Sequence, residues 1–278
     1  MNNTFSFKRF MHLLEKDNNM FLRNFGTSII VFSCMPVVFW IFNLLFHTTT
    51  LPVVRFSFIC IMVAIAMMIV PSKVYGNANL SREGVGFAML PASSLEKFLS
   101  MFIHCAILTP IIVFCWAHVV DLLLSLFPFG GFEERIHIYT INDFVHMMDN
   151  SEGVVQAGGT ELSVADVFPI GVVRTSIYTS IIQWAAIFML GNMLFKKHKA
   201  GKTLVCYMGI SYVFSTIFGL AFITSGRLQH WFETLKNYSE AEMIRVANNT
   251  AIWSMVIGII ILVLLLFFTY RKIKTQKY

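Results

Sequence analysis

Six long apolar runs constrain this chain more than any other feature of its sequence. Each run is close to or above the ~18–20 residues that an α-helix needs to cross a hydrocarbon core of ~30 Å. Only 13% of the 278 residues are charged, whereas soluble domains carry roughly 25%. The sequence therefore predicts an all-α polytopic membrane protein that forms a single domain over residues 1–278. The predicted transmembrane helices lie at about residues 27–46, 53–70, 98–127, 170–195, 203–224 and 251–270.

The basic residues are distributed unevenly between the two sides of the predicted membrane. Most of the 21 Lys and Arg lie on one side, in the N-terminal segment (Lys8, Arg9, Lys16, Arg23), after the second span (Lys73, Arg82, Lys97), between the fourth and fifth spans (Lys196, Lys197, Lys199, Lys202) and in the tail (Arg271, Lys272, Lys274, Lys277). By the positive-inside rule, both termini are predicted to be cytoplasmic. The net charge of +6 is too unevenly placed to indicate nucleic-acid binding.

Residues 5–25 show the spacing of an amphipathic helix. The apolar side chains Phe7, Phe10, Met11 and Leu14 follow the i, i+3, i+4, i+7 pattern, and cationic side chains fall on other faces. Such a helix is predicted to lie in the membrane interface, attracted to anionic lipid. A soluble helix that packs on a partner is the alternative.

A polar segment, residues 71–97, connects the second and third predicted spans. Pro91 predicts a break, because proline lacks an amide N–H and pushes the preceding residue out of the α region. Ser93 and Glu96 then match a capping box that begins a new helix. We therefore expect a short helix from about Ser81 to Met89, a tight bend and the third span. This shape suits receiving force from a soluble partner, and an ordinary solvated loop is the alternative.

Two further polar segments fall on the predicted outer side. Residues 128–169 are expected to form a small ordered cap, with a possible strand at 135–141 and a possible helix from about residue 142. Residues 226–249 predict two short amphipathic helices, the second of them starting at a capping box over 239–242. Both segments are interpreted as parts of one membrane domain.

Some residues within the spans have candidate roles of their own. Ser211, Ser215 and Gly219 form a small-xxx-small stripe in the fifth span, which lets helices pack closely within the chain or across a dimer. In the third span, Pro110 predicts a kink. His118 and Asp121, one turn apart near its outer end, are a possible polar site or a structural pair, and His104 lies near its inner end.

The motifs of nucleotide, protease and metal chemistry are incomplete in this sequence. Residues 201–203 match the end of a phosphate-binding loop, but Lys196 stands where the first glycine belongs. Residues 133–135 place paired glutamates with the wrong spacing for a membrane protease. Asp143, His146 and Asp149 share a possible helix face without a further ligand, which favours a solvated face over a metal site. We therefore predict no metal site and no enzyme.

Residues 89–97, Met-Leu-Pro-Ala-Ser-Ser-Leu-Glu-Lys, resemble the ABC-2-type permeases, the membrane subunits of bacterial ATP-binding-cassette exporters. That family carries an LP-x-S motif followed by a lysine just before the third span. The resemblance extends to the N-terminal amphipathic helix, the six spans, the cytoplasmic termini and the short helices between spans five and six. The sequence departs from the family at Ser94, where many members have arginine, and in the longer external segment 128–169.

The resemblance implies a permease in the bacterial cytoplasmic membrane that couples to a separate ABC ATPase subunit. It implies a homodimer, or a heterodimer with a second permease, surrounded by membrane lipid. ATP and Mg would bind to the partner ATPase, and this chain would hold no cofactor. The residues implied in coupling are Arg82, Glu83, Phe87, Leu90, Pro91, Ser93, Glu96 and Lys97. A non-transporting membrane scaffold or sensor, whose 128–169 cap binds a ligand or protein, is the alternative, and the substrate stays open.

Overall fold

The computed structural model describes residues 5–48, 51–80, 84–127, 155–157, 160–162, 170–224 and 240–275. This part of the chain is predominantly helical, and six helical segments are long and apolar enough to cross a membrane. The elements are α1 (Phe7–Phe46), α2 (Pro52–Val74), a 3₁₀ turn (Gly76–Asn79), α3 (Gly84–Ala88), α4 (Ser94–Phe102), a π-helical stretch (Ile103–Leu108), α5 (Thr109–Ser125), β1 (Val155–Ala157), β2 (Thr160–Leu162), α6 (Ile170–Leu194), α7 (Lys199–Thr224) and α8 (Glu240–Thr275). The predicted helical class with six helices of membrane-spanning length and composition is therefore confirmed for the described residues.

The predicted N-terminal helix and first span form one continuous helix. α1 has 40 residues, which corresponds to about 60 Å at 1.5 Å per residue. The expected boundary near residue 26 is wrong, because no proline interrupts the chain there and a helical glycine such as Gly26 costs only about 1 kcal/mol. The buried stripe also continues without a break through Phe21, Phe25 and Phe32.

α1 runs beside the third span and in the same direction. Arg9 binds Glu96, the rings of Phe21 and His104 lie 5.8 Å apart, and those of Trp40 and Phe127 lie 6.0 Å apart. The stripe containing Phe10, Phe21 and Phe25 is thus covered by the same chain. Phe7 and Met11 of the predicted stripe stay exposed.

The chain comprises two compact units. The first comprises Met1–Tyr139, Ile181–Thr203 and Leu262–Tyr278, and the second comprises Thr140–Ser180 and Leu204–Ile261. The apolar core of the first unit contains side chains from α1, α2, the third span and α6, such as Phe25, Met67, Met101 and Met189. In the second unit, β1 and β2 form an antiparallel hairpin with Val155 opposite Leu162.

The third span consists of α4, the π-helical stretch and α5. Together these cover Ser94–Ser125, 32 residues, which at 1.5 Å per residue is about 48 Å and exceeds the core of the bilayer. The π-helical stretch lies directly before Thr109-Pro110. The missing amide of Pro110 and the hydrogen bond from Thr109 Oγ1 to His104 O, 2.6 Å, explain why the regular ladder changes there.

The two segments that are predicted to lie outside the membrane are described only in part. The second predicted short helix of residues 226–249 is continuous with the sixth span, because α8 runs from Glu240 to Thr275. The first short helix, the capping residue Ser239, the predicted strand at 135–141 and the pattern Asp143, His146 and Asp149 lie outside the described residues.

Candidate functional site

The segment between α2 and α4 contains a short helix, as the sequence predicts. α2 ends at Val74, a 3₁₀ turn follows, and α3 covers Gly84–Ala88. The predicted helix was longer, from Ser81 to Met89, and Arg82 and Glu83 lie outside the described residues. The structure thus places a helical turn immediately before the Leu90-Pro91 bend.

Glu96 forms the capping box and also binds the start of α1. Its carboxylate accepts from the backbone N–H of Ser93, 2.8 Å, and Ser93 Oγ accepts from the N–H of Glu96, 3.3 Å. The same carboxylate accepts from the N–H of Ser6, 2.7 Å, and from Arg9 Nη2, 3.2 Å. With its side chain 0% exposed, Glu96 joins two segments that are about ninety residues apart in sequence.

Lys97, the next residue, binds the end of α3. Its ammonium group donates to the carbonyl oxygen of Ala88, the last residue of α3, 3.0 Å. It also lies 5.3 Å from the centre of the Phe87 ring. A cation at a helix C-terminus is favourable because the last carbonyl groups are unpaired. Glu96 and Lys97 therefore attach α1 and α3 to the start of α4; we call these contacts the Glu96–Lys97 clamp.

Exposure separates the predicted coupling residues into two groups. Ser93, Glu96 and Lys97 are buried and can act only by positioning their neighbours. Phe87 and Leu90 are half-buried, and Pro91 is exposed. Two side chains that the resemblance does not single out are also accessible: Met89 is 79% and Leu95 42% exposed. A soluble partner would therefore meet an apolar surface rather than the motif's charges.

The turn between α6 and α7 is bonded to the beginning of this segment. Asn192 Nδ2 donates to Tyr75 O, 3.1 Å, and Asn79 Nδ2 donates to Phe195 O, 3.3 Å. Lys199 Nζ donates to Gly76 O. Three segments therefore meet at one end of the first unit: the N-terminal segment, residues 71–97 and the α6–α7 turn. They carry three of the four clusters of basic residues that are predicted to be cytoplasmic.

A buried polar network lies next to the clamp. Asp17 Oδ2 accepts from Ser100 Oγ, 2.6 Å, and from the Tyr75 hydroxyl, 3.1 Å. The same hydroxyl lies 3.2 Å from His104 Nδ1. Burial, and then the negative charge of Asp17, raise the pKa of Tyr75 well above its ordinary value. The phenol therefore stays protonated and able to donate to Asp17.

The predicted pairing of His118 with Asp121 needs correction. Asp121 binds Arg55 through both oxygens, with Arg55 Nε to Oδ1 at 3.2 Å and Arg55 Nη2 to Oδ2 at 2.5 Å. His118 Nδ1 lies 3.0 Å from the carbonyl oxygen of Phe114. Both members of the Arg55–Asp121 pair are buried. Helical spacing suggested His118 as the partner and could not reveal Arg55 on another helix.

The small-residue stripe of the fifth span is exposed. Ser211, Ser215 and Gly219 all face away from the described neighbours of α7, and a Cβ at Gly219 would have nothing within 4 Å. Close packing within the described chain occurs elsewhere: a Cβ at Gly191 would overlap Thr203 Oγ1. The intramolecular interpretation of the stripe therefore finds no support among the described residues.

Within the described ranges, no group of three or more His, Cys, Asp or Glu side chains is arranged to hold a metal ion. Among the described residues, the clamp consists of hydrogen bonds and the Arg9–Glu96 ion pair. Comparison with protein-family models, with curated proteins and with solved structures finds no match to this chain.

Proposed function

We propose that this chain is the membrane permease subunit of an ATP-binding-cassette transporter, which exports a substrate across the bacterial cytoplasmic membrane. ATP hydrolysis would take place in a separate ATPase subunit. The observation that carries the proposal is α3, a short helix attached through Lys97 to the first turn of a membrane-spanning helix. Its place in the chain is that of the coupling element in ABC-2-type permeases.

The Glu96–Lys97 clamp connects α3 to the membrane-spanning helices. A displacement of α3 acts on α4 through Lys97 and Ala88, and a displacement of α4 acts on α1 through Glu96 and Arg9. Hydrogen bonds to charged groups contribute about 1.5–3 kcal/mol each, so these links resist separation better than a solvated loop would. Closure of the ATPase pair would then tilt α1 and the third span together.

The surface around α3 supports a soluble protein as the partner. Met89 and Leu95 expose apolar side chains beside the exposed Pro91, on the end of the unit where the basic segments meet. Since the positive-inside rule assigns that end to the cytoplasm, lipid tails are not the expected neighbour. The exposed stripe of Ser211, Ser215 and Gly219 is a candidate contact with a second permease copy, either identical or a sibling.

Purification of the intact chain in a mild detergent tests the proposal. We expect a soluble ATPase to accompany the chain in near-stoichiometric amount. We also expect Met89→Gln, before the third span, to lower that amount and the matched variant Leu126→Gln, just after the other end of that span, to leave it unchanged. A folded chain that brings no ATPase under any of these conditions would contradict the transporter assignment.

A further inference from the structure

One face of α1 is exposed, and a cleft lies along its N-terminal half. Phe10, Phe21 and Phe25 are buried on one side of the helix, and the cleft lies on the other side. It has a volume of about 490 Å³. The described side chains that line it are His12, Glu15, Lys16, Asn19, Met20 and Arg23. This lining is polar, and it differs from the apolar stripe that the sequence predicts for contact with lipid.

Lys16 and Arg23 give the cleft an excess of positive charge. They are seven residues apart, so they lie on the same side of the helix with Asn19 between them. Both are exposed, and neither forms an ion pair with a described residue. Lys97, at the start of α4, is near enough to Lys16 for the two ammonium groups to repel each other. The exposed Glu15 offsets one of these charges, and the cleft stays cationic.

The exposed face continues as an apolar surface along the second half of α1. Val31 is 63%, Val38 60% and Leu45 71% exposed, and they follow Arg23 at intervals of seven or eight residues. Since seven residues are about two turns of an α-helix, these side chains lie on the same side as Lys16 and Arg23. The face is therefore cationic in its first half and apolar in its second half.

The change from charged to apolar coincides with the predicted edge of the hydrocarbon core. The first predicted span begins at about Thr27, and Arg23 precedes it by four residues, about 6 Å along the helix. The headgroup layer on each side of a bilayer is about 5–8 Å thick. Arg23 therefore lies at the depth of the lipid phosphates, and the long side chain of Lys16 extends toward the same layer from two turns away.

We propose that this face of α1 binds an anionic phospholipid, whose phosphate group contacts Lys16 and Arg23 and whose acyl chain lies along Val31 and Val38. A guanidinium group matches the geometry of two phosphate oxygens, and an ammonium group adds a second positive charge. A free phosphate ion or an acidic soluble protein would account for the cationic half alone and would leave the apolar half exposed. This inference does not require the transporter assignment.

Native mass spectrometry of the full chain in a mild detergent tests the proposal. The chain is titrated with phosphatidylglycerol and with phosphatidylcholine of the same acyl chains, and we expect at least tenfold tighter binding of phosphatidylglycerol. Each Lys or Arg near an anionic lipid surface contributes about fivefold in affinity. Lys16→Gln/Arg23→Gln should therefore weaken phosphatidylglycerol binding about 25-fold and leave phosphatidylcholine binding unchanged. Lys196→Gln/Lys197→Gln, which removes two exposed charges from the α6–α7 turn, should change neither.

Two further measurements separate the lipid from other occupants of this face. Glycerophosphoglycerol, the headgroup without acyl chains, should bind at least tenfold more weakly than phosphatidylglycerol. A photoreactive amino acid at Val31 should crosslink to phospholipid in native membranes. Equal affinity for the two lipids, equal losses in the two double variants, or headgroup binding as tight as lipid binding would each overturn the proposal. Crosslinks from position 31 to a second copy of the chain instead of lipid would overturn it as well.

Discussion

The two ends of the first unit are stabilised in different ways. At the end where the basic segments meet, α1, α3, α4 and the α6–α7 turn are joined by many separate bonds, centred on Glu96, Lys97 and Tyr75. At the opposite end, the buried Arg55–Asp121 pair is the charged contact between helices that the described residues show. Among these residues the first end is thus a cross-linked block, whereas the second has one buried ion pair as its charged link. A cross-linked block is suited to transmitting displacement, because several helices must move together.

The largest effect is expected at the end with the buried Arg55–Asp121 pair. Arg55→Met leaves the Asp121 carboxylate buried without its cation, and removal of one partner from a buried pair costs about 3–5 kcal/mol. We expect this loss in the free energy of unfolding, measured by steric trapping or denaturant titration in lipid. The double variant Arg55→Met/Asp121→Leu should recover most of it. Unchanged stability of the single variant would show that the pair is not an important support.

A smaller and more local effect is expected from removing the Glu96 carboxylate. Glu96→Ala deprives Ser93, Ser6 and Arg9 of their acceptor, and we expect a loss of about 2–3 kcal/mol because bonds to charged groups are among the stronger ones. Hydrogen exchange should increase at the start of α1 while the helix ends near the Arg55–Asp121 pair stay protected. Glu15→Ala, an exposed carboxylate on the same helix, serves as the control. Uniform exchange over the whole unit would mean that the clamp is not a separate block.

The link between the α6–α7 turn and residues 75–80 should be weaker again. Asn192→Leu removes one neutral hydrogen bond to Tyr75 O, which corresponds to about 1 kcal/mol. Faster exchange of the amide groups of residues 75–80 is the expected signature. Asn24→Leu is a matched control, because its amide lies 3.5 Å from Lys73 O at an exposed position. If Asn24→Leu accelerates exchange at residues 75–80 as much as Asn192→Leu does, the buried Asn192–Tyr75 bond does not specifically stabilise this segment.

The smallest effect on folding is expected at the exposed apolar surface. Met89→Gln and Leu126→Gln both replace exposed side chains, and substitutions of this kind change stability by less than about 0.5 kcal/mol. The two variants should differ in partner binding, with about tenfold weaker association of the ATPase for Met89→Gln alone. Equal association for both variants would remove Met89 from the docking surface.

The features that could be predicted from the sequence are local or compositional. The six spans follow from apolar length, and the Ser93–Glu96 capping box follows from residues three apart. The carboxylate of Glu96 also binds Ser6 and Arg9, and the partner of Asp121 is Arg55, 66 residues away. No spacing pattern in one sequence reports contacts between such distant segments. The continuity of α1 was missed because amphipathic and apolar stretches suggest separate helices, although nothing in the backbone separates them.

The sequence left two interpretations of the start of α1, a helix in the membrane interface or a helix that packs on a protein. A stripe containing Phe10, Phe21 and Phe25 predicts one apolar face, and lipid or protein can cover such a face equally well. The structure covers it with the third span, while Phe7 and Met11 remain exposed. Amphipathic spacing thus predicted the helix and left the neighbour of its apolar face undetermined.

Photo-crosslinking in living cells tests the central proposal, coupling through α3, most directly. A photoreactive amino acid replaces Met89 in one strain and Leu126, at the opposite end of the third span, in another. We predict that position 89 crosslinks to a soluble ATPase and that position 126 does not. Crosslinks from position 89 to lipid alone, or the same protein partners from both positions, would contradict the proposal that this segment couples the chain to an ATPase.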